Sequence, residues 1–281
     1  MLRSTDISPL SLLLARVDSV ADGEQARDTV HSGFPSVDRM LGGGFRRGDL
    51  IVLAGDVGSG KSSLALGFSV RAAAAGQGVL FLSGEMAPER LLERVIAIES
   101  RVAIDELRQG TLTDIARATA GAAAVRLRDC LPMVELLPSD PMDLASLIEA
   151  RPAAGLVVID SFEAALGTLN ESQIPARIRE LKRLAVERDR AILTTVELPG
   201  LRGRADRRPT LEDFDARTGL LREAADVVLA LYREDLYEPA QDIAGATELL
   251  VRKNRNGAVG YVDLYFYASW LRFEDMLDPD T

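Results

Sequence analysis

"DLIVLAGDVGSGKSSLAL", residues 49–66, decides how this chain is read. Its opening "LIVLA" is a short unbroken apolar run, the pattern of a strand buried on both faces. "GDVGSGKS" (55–62) then fits G-x-x-x-x-G-K-[ST] and is followed by a segment of helical period. A glycine-rich turn between a strand and a helix lets backbone N–H groups close around phosphates, and the helix N-terminus adds positive potential. Gly55, Gly58, Ser59, Gly60, Lys61, Ser62 and Ser63 are therefore the expected nucleotide cradle. Lys61 is expected to reach the β- and γ-phosphates of ATP, and Ser62 to hold Mg2+.

Outward from this motif the chain alternates. "GVLFLSG", "LPMVELL", "GLVVIDS" and "AILTTVE" are further buried-strand runs, separated by segments of helical period at 62–75, 87–100, 113–129, 142–150 and 174–188. Such alternation predicts an α/β domain with a mostly parallel central sheet flanked by helices. "ADVVLALYR", "TELLVRKNR" and "GYVDLYFY" follow without long helices between them, so antiparallel strands are expected near the C-terminus. "SPLSLLLARVDSVAD" (8–22) has Ser8 as a cap, Pro9 at the first helical position, and Leu10, Leu13, Leu14 and Val17 at helical spacing. It reads as an amphipathic helix that docks either on its own core or elsewhere. The expected division is a linker or docking segment at 1–30 and an ATPase domain at 31–281.

Bulk composition narrows the classes. The chain has 281 residues, 47% of them hydrophobic, which suits a soluble protein with a sizeable core. Its apolar runs are too short to span a bilayer, and residues 1–20 lack a signal-peptide pattern, so no membrane and a cytoplasmic location are expected. Cys130 and His31 are the single cysteine and histidine, which excludes intrachain disulfides, cysteine zinc sites and histidine triads. A net charge of −10 argues against a general nucleic-acid footprint and leaves only local basic patches for that role.

Two carboxylates stand where phosphoryl chemistry needs them. "GLVVIDS" ends its strand in Asp160, the expected partner of Mg2+ beside the cradle. "VLFLSGEM" ends in Glu85, which suits orienting and deprotonating an attacking water, with a helix-capping acid as the plainer alternative.

The stretch "SGFPSVDRMLGGGFRRGDLIVLAGDVGSGKSSLAL" resembles the opening of the RecA-like P-loop ATPases of the DnaB, RadA and KaiC groups. "RVAIDELRQGTLTD" (101–114), "RRPTLEDF…AADVVLALYREDLY" (207–237) and "RKNRNGAVGYVDLYFYASWLRFED" (252–275) resemble the C-terminal motor domain of DnaB-type replicative helicases. The resemblance implies a homo-oligomer, a hexameric ring or helical filament, with ATP between subunits and single-stranded DNA as a partner. Its K-x-R-x-G motif reads Lys253, Arg255, Gly257 here and implies cations lent to a neighbour's γ-phosphate. Fixed positive groups there stabilise the transferring phosphoryl charge and make hydrolysis conditional on assembly.

The departures are specific. The family's N-terminal primase-interacting domain has no counterpart in residues 1–30, so a motor without that domain is expected. Glu197 stands where the family has a glutamine that relays nucleotide state. The family's R-E-S-G stretch, which touches the DNA backbone, aligns with Ala216-Arg217-Thr218-Gly219, the arginine displaced by one. Ser161 and "SGE" ahead of Met86 look more like RadA or KaiC, although RadA's zinc cysteines and KaiC's second ATPase domain are missing. Arg202, Arg204, Arg207 and Arg208, in "LRGRADRR", form a loop expected to face the ring channel and offer phosphate contacts. Arg177, Arg179, Lys182 and Arg183 read as a solvated helix face. Two functions follow: a motor acting on single strands, or a nucleotide-gated assembly or signalling ATPase that moves no strand.

Overall fold

The computed structural model of the chain describes residues 10, 11, 14, 17, 18, 28–199, 201–215, 217–238 and 243–276, with the side chain of Arg202 outside that description. A two-stranded antiparallel ribbon, β1 (Thr29–Val30) with β2 (Phe45–Arg46), encloses helix α1 (Pro35–Met40). The expected strand–helix alternation follows as β3 (Leu50–Gly55), α2 (Lys61–Ala74), β4 (Val79–Ser83), α3 (Pro88–Ser100), α4 (Ile104–Gln109), α5 (Asp114–Leu127) and β5 (Met133–Leu136). Next come α6 (Leu144–Glu149), β6 (Leu156–Asp160), α7 (Phe162–Leu166), α8 (Ile174–Glu187), β7 (Ala191–Glu197) and α9 (Gly219–Ala224). The chain then adds β8 (Val227–Arg233), β9 (Ala246–Asn254), β10 (Gly260–Tyr267) and β11 (Arg272–Asp275). The nine-stranded sheet has the order β11-β10-β9-β8-β3-β7-β6-β4-β5.

Successive side chains of a strand point to opposite faces, and β3 is apolar on both. Ile51 and Leu53 join Leu64 and Phe68 of α2 and Leu91 and Val95 of α3 in one core. Leu50, Val52 and Ala54 join Phe162 of α7 and Ile178, Leu181 and Leu184 of α8 in the other. Each such fully buried side chain stabilises the fold by about 1.5–3 kcal/mol, so the strand that delivers the glycine-rich turn is among the best-fixed parts of the molecule.

One expectation is corrected. β8 runs parallel to β3, with Ile51 opposite Val227 and Gly55 opposite Leu231, and the antiparallel pairings of this sheet are β8–β9, β9–β10 and β10–β11. The segment 198–226 carries the chain back across the sheet before β8 begins, which is the long crossover that parallel pairing requires. Of the N-terminal helix, Leu10, Ser11, Leu14, Val17 and Asp18 are helical, with Leu10, Leu14 and Val17 exposed; the rest of 8–22 lies outside the described residues. No helix among the described residues is long and apolar enough to cross a membrane.

Phe68 is fully buried and meets Phe34 and Phe45 edge-on at centroid distances of 5.4 and 5.1 Å. It therefore fastens the N-terminal ribbon to α2. Phe68→Ala is expected to cost about 3–5 kcal/mol in chemical denaturation, and a loss under ~1 kcal/mol would contradict this core.

Candidate nucleotide site

The cleft forms at the carboxyl ends of β3, β4, β6 and β7, where α/β sheets present ligand sites. β3 ends at Gly55, and the turn to α2 uses left-handed backbone at Gly58 (φ 77°) and Gly60 (φ 101°), conformations a β-carbon resists. Gly60 is also crowded: a β-carbon there would lie 2.9 Å from Phe273 Cζ. The fourteen-residue α2 begins at Lys61, so its first amides have no partner within the helix and face the turn. Lys61 Nζ donates to the carbonyls of Gly55 (3.1 Å) and Asp56 (2.9 Å). Burial pulls its pKa below the ordinary lysine range, against the opposing carboxylates of Glu197, Glu163, Asp160 and Asp56.

Asp160, only 4% exposed at the end of β6, receives the Ser62 hydroxyl at 3.1 Å and the Thr195 hydroxyl at 2.6 Å on one oxygen. Burial pushes its pKa above the usual carboxylate range; the two hydroxyl bonds oppose that shift and Glu85 adds to it. Glu85 accepts from Ser161 Oγ at 3.3 Å, which turns its carboxylate toward the end of β6. Glu197 pairs in register with Gly55, and its backbone N–H donates to Glu163 Oε1 at 3.0 Å. Gly58, Gly60, Lys61, Ser62, Ser63, Glu85, Asp160 and Glu197 thus meet around one cleft of about 430 Å3. Amides at a helix start, a lysine, and a serine hydroxyl beside a carboxylate are a donor set that fits a nucleotide polyphosphate with a hard divalent cation.

Three residues of the cleft escaped sequence reasoning. Arg94 of α3 lines it, with a buried Nε that has no hydrogen-bond partner among the described residues. The available signal was a cation lying between Leu91, Val95 and Ile98, the buried stripe of its own helix. Thr195, fully buried beside Thr194 in β7, was a comparable hint, since a buried hydroxyl needs a partner. Glu163 in the first turn of α7 gave none.

Lys253 and Arg255 lie elsewhere. Lys253 pairs with Val228, which is level with Val52, and the Arg255 amide donates to the Asp226 carbonyl. The Asp226 amide in turn donates to the Leu50 carbonyl, so Arg255 sits level with the start of β3. Gly55 is five residues further along that strand, roughly 17 Å at about 3.3 Å per residue. Neither cation lines the cleft of its own chain.

The arginine loop makes ion pairs within the chain. Arg204 pairs with Asp213 at 2.6 Å, Arg207 with Glu238 at 3.3 Å, and Arg208 with both oxygens of Glu248 at 2.8 and 2.6 Å. Arg207 and Arg208 also lie over the rings of Tyr237 and Tyr232. Three of the four arginines therefore already have carboxylate partners, and the fourth, Arg202, has its side chain outside the described residues. Arg217 is exposed, its amide bound to Asp215 Oδ1 at 2.9 Å, while Ala216 lies outside the description. The solvated helix face holds for Arg179 and for Arg183, which pairs with Glu187, but not for the other two: Arg177 is buried against Glu180, and Lys182 Nζ reaches Asp226 at 2.5 Å. Arg233 is buried, paired to Asp235 at 2.8 Å and stacked over Phe266, whose ring reaches the cleft.

The sequence matches the DnaB-like helicase C-terminal domain family over residues 29–275. It is 29% identical over 261 residues to the replicative DNA helicase DnaB of Geobacillus stearothermophilus, and 30% over 260 residues to that of Leifsonia xyli subsp. xyli. In both cases 88% of this chain aligns with 56% of the relative, so it spans a little over half of their length. The solved structure of a DnaB-like replicative helicase superimposes with a TM-score of 0.84 at 23% identity, covering 98% of this chain and 68% of that one. With its glycine-rich cradle on a RecA-like sheet and a family match across most of its length, the chain belongs to the DnaB-like helicase C-terminal domain family of P-loop ATPases.

Proposed function

We propose that this chain binds Mg-ATP in the cleft and hydrolyses it as the motor of an assembly of identical copies acting on single-stranded DNA. Residues 31–281 are the motor and 1–30 the docking segment. The observation that carries the reading is the separation along β3 of the cradle from Lys253 and Arg255. Two cations held at the far end of a rigid sheet do not reach their own cleft, whereas an adjacent copy can present them. Magnesium bound by Ser62 and Asp160 supplies charge neutralisation at the phosphates. Lys61 exchanges the carbonyls of Gly55 and Asp56 for β- and γ-phosphate oxygens. Glu85 takes the proton of a water whose oxygen attacks the γ-phosphorus, while the bond to the bridging oxygen breaks toward ADP. Arg94 adds a cation from the same chain.

A second reading has one observation in its favour. Arg204, Arg207 and Arg208 are neutralised by Asp213, Glu238 and Glu248, which suits an ATPase that gates assembly or signalling and moves no strand. Filter binding of an oligonucleotide with a non-hydrolysable ATP analogue separates the two. Tight, salt-sensitive retention supports the motor, and none in any nucleotide state supports the gate.

Mixing tests the shared site. Lys253→Ala and Lys61→Ala copies are each expected to lose at least ~1000-fold in turnover, and together to regain hydrolysis well above their sum. Folded, assembled mixtures that stay inactive would remove the claim.

Asp160 yields a further prediction. Its folded pKa is raised, so the folded chain holds that proton more tightly than the unfolded chain does. The stability this group contributes is complete below the ordinary carboxylate pKa and is lost as pH rises through the raised one. Ionised Asp160 is thus destabilising at neutral pH. Asp160→Asn is expected to raise the melting temperature without ligand by a few degrees, ~1 kcal/mol, and to lower hydrolysis at least ~100-fold. A lower melting temperature would contradict this.

A further inference from the structure

The two cations are seated, not loose. Lys253 Nζ donates to the carbonyls of Arg222 (3.0 Å) and Glu223 (2.8 Å), and Arg255 Nη2 donates to that of Glu223 (3.3 Å). These carbonyls lie in the last turn of α9, where a helix leaves acceptors without internal partners. Arg255 Nη1 donates to Asp226 Oδ1 at 3.1 Å. The other oxygen of Asp226 accepts the Leu50 amide (2.8 Å) and Lys182 Nζ (2.5 Å), and Lys182 also donates to the Gly48 carbonyl (2.8 Å). One residue beyond Arg255, Asn256 Nδ2 donates to Asp49 Oδ2 at 2.5 Å. The Asp226 side chain is 8% exposed and that of Arg255 is 52% exposed. One side of the guanidinium is therefore anchored to β3 while the rest faces outward.

We propose that Asp226 is the positioning residue for the cations a copy lends to its neighbour, with Lys182 holding Asp226 in place. The inference rests on the shared-site reading above and goes beyond it, because Asp226 lies outside the cleft and acts through Arg255. Its physical basis is preorganisation. A guanidinium tethered by one carboxylate oxygen and one carbonyl has already given up much of its rotamer freedom, so little is left to lose when it meets a phosphate. The same carboxylate is bonded to the first amide of the strand that ends in the cradle. The cation's position is thereby referred to the sheet rather than to the β9–β10 turn that carries it. Lys182 pairs the second oxygen of the buried carboxylate with a positive charge, which leaves the first oxygen facing Arg255.

The test uses Asp226→Asn in the full chain. Asparagine retains an oxygen for the Leu50 amide but loses the charge that Arg255 and Lys182 share. Turnover is expected to fall ~10–100-fold, with the affinity for a fluorescent ATP analogue changed less than ~3-fold, because the variant's own cradle is intact. Mixed with Lys61→Ala copies, which have intact cations and no working cradle, Asp226→Asn copies are expected to recover turnover. Arg255→Ala run in parallel separates the layers. An active Arg255→Ala protein overturns the shared-site reading and this inference with it. An inactive Arg255→Ala protein beside a fully active Asp226→Asn protein overturns this inference alone. Asp226→Asn copies that are inactive and stay inactive on mixing show that Asp226 serves its own cradle through β3, which also overturns it. Adding Arg255→Ala to Asp226→Asn is expected to cost no more than Arg255→Ala alone, and additive losses would contradict the pairing.

Discussion

β3 is buried on both faces and hydrogen-bonded on both edges, to β7 on one side and β8 on the other. It cannot slide without breaking two ladders and turning apolar side chains out of two cores. Both ends of this strand carry chemistry. Its carboxyl end becomes the glycine-rich turn that holds Lys61, and its first amide is bonded to Asp226 and through it to Arg255. A rigid rod with a nucleotide cradle at one end and a cation seat at the other is the geometry a repeating assembly requires. On the proposed shared-site reading, each copy's seat faces the next copy's cradle, and β3 sets the spacing between the two.

The cleft carries an uneven charge balance. Lys61 and Arg94 stand among Asp160, Glu85, Glu163 and Glu197. Burial disfavours the charged forms of both Lys61 and Asp160, and the opposing charges and hydroxyl bonds around them only partly offset it. Such a site is least stable by itself and gains most from a polyphosphate with its cation, which brings negative charge to Lys61 and positive charge to the carboxylates. Glu197 sharpens the contrast. It sits beside Gly55 in register and its amide donates to Glu163 Oε1, which puts two carboxylates together at the end of β7.

Much of this was legible in the sequence because it is local. Short apolar runs marked the strands of the parallel core, and the motif at 55–62 marked the cradle with its helix start. Asp160 and Glu85 could be read because each stands at or just past the end of a short apolar run, and the parallel order β3-β7-β6-β4 brings those ends to the same side of the sheet as the motif. What was not legible depends on residues far apart in the chain. Asp226 gathers Leu50, Lys182 and Arg255 from 176, 44 and 29 residues away, and nothing around "AADVV" foretells those partners. The direction of β8 was misread for the same reason, since a crossover with one short helix leaves little periodic signal. Lys182 and Arg177 look like surface charges at helical spacing until the sheet edge and Glu180 are brought to them.

The paired arginine loop fits an acidic protein on the motor reading. Isolated cations projecting from a chain of net charge −10 would find its own carboxylates, and Arg204, Arg207 and Arg208 have done so. Exposed ion pairs of this kind are worth only ~0–1 kcal/mol each, so a phosphate competes with them at little cost. Counterion release adds a driving force when a strand is bound, and that gain shrinks as salt rises. Arg207 and Arg208 also lie over the rings of Tyr237 and Tyr232, contacts that do not depend on the carboxylates they pair with. Tyr237, under Arg207, donates its hydroxyl to Asp56 in the nucleotide turn at 3.0 Å. The loop and the cradle are thus joined through one aromatic ring, by a route that does not run through the sheet.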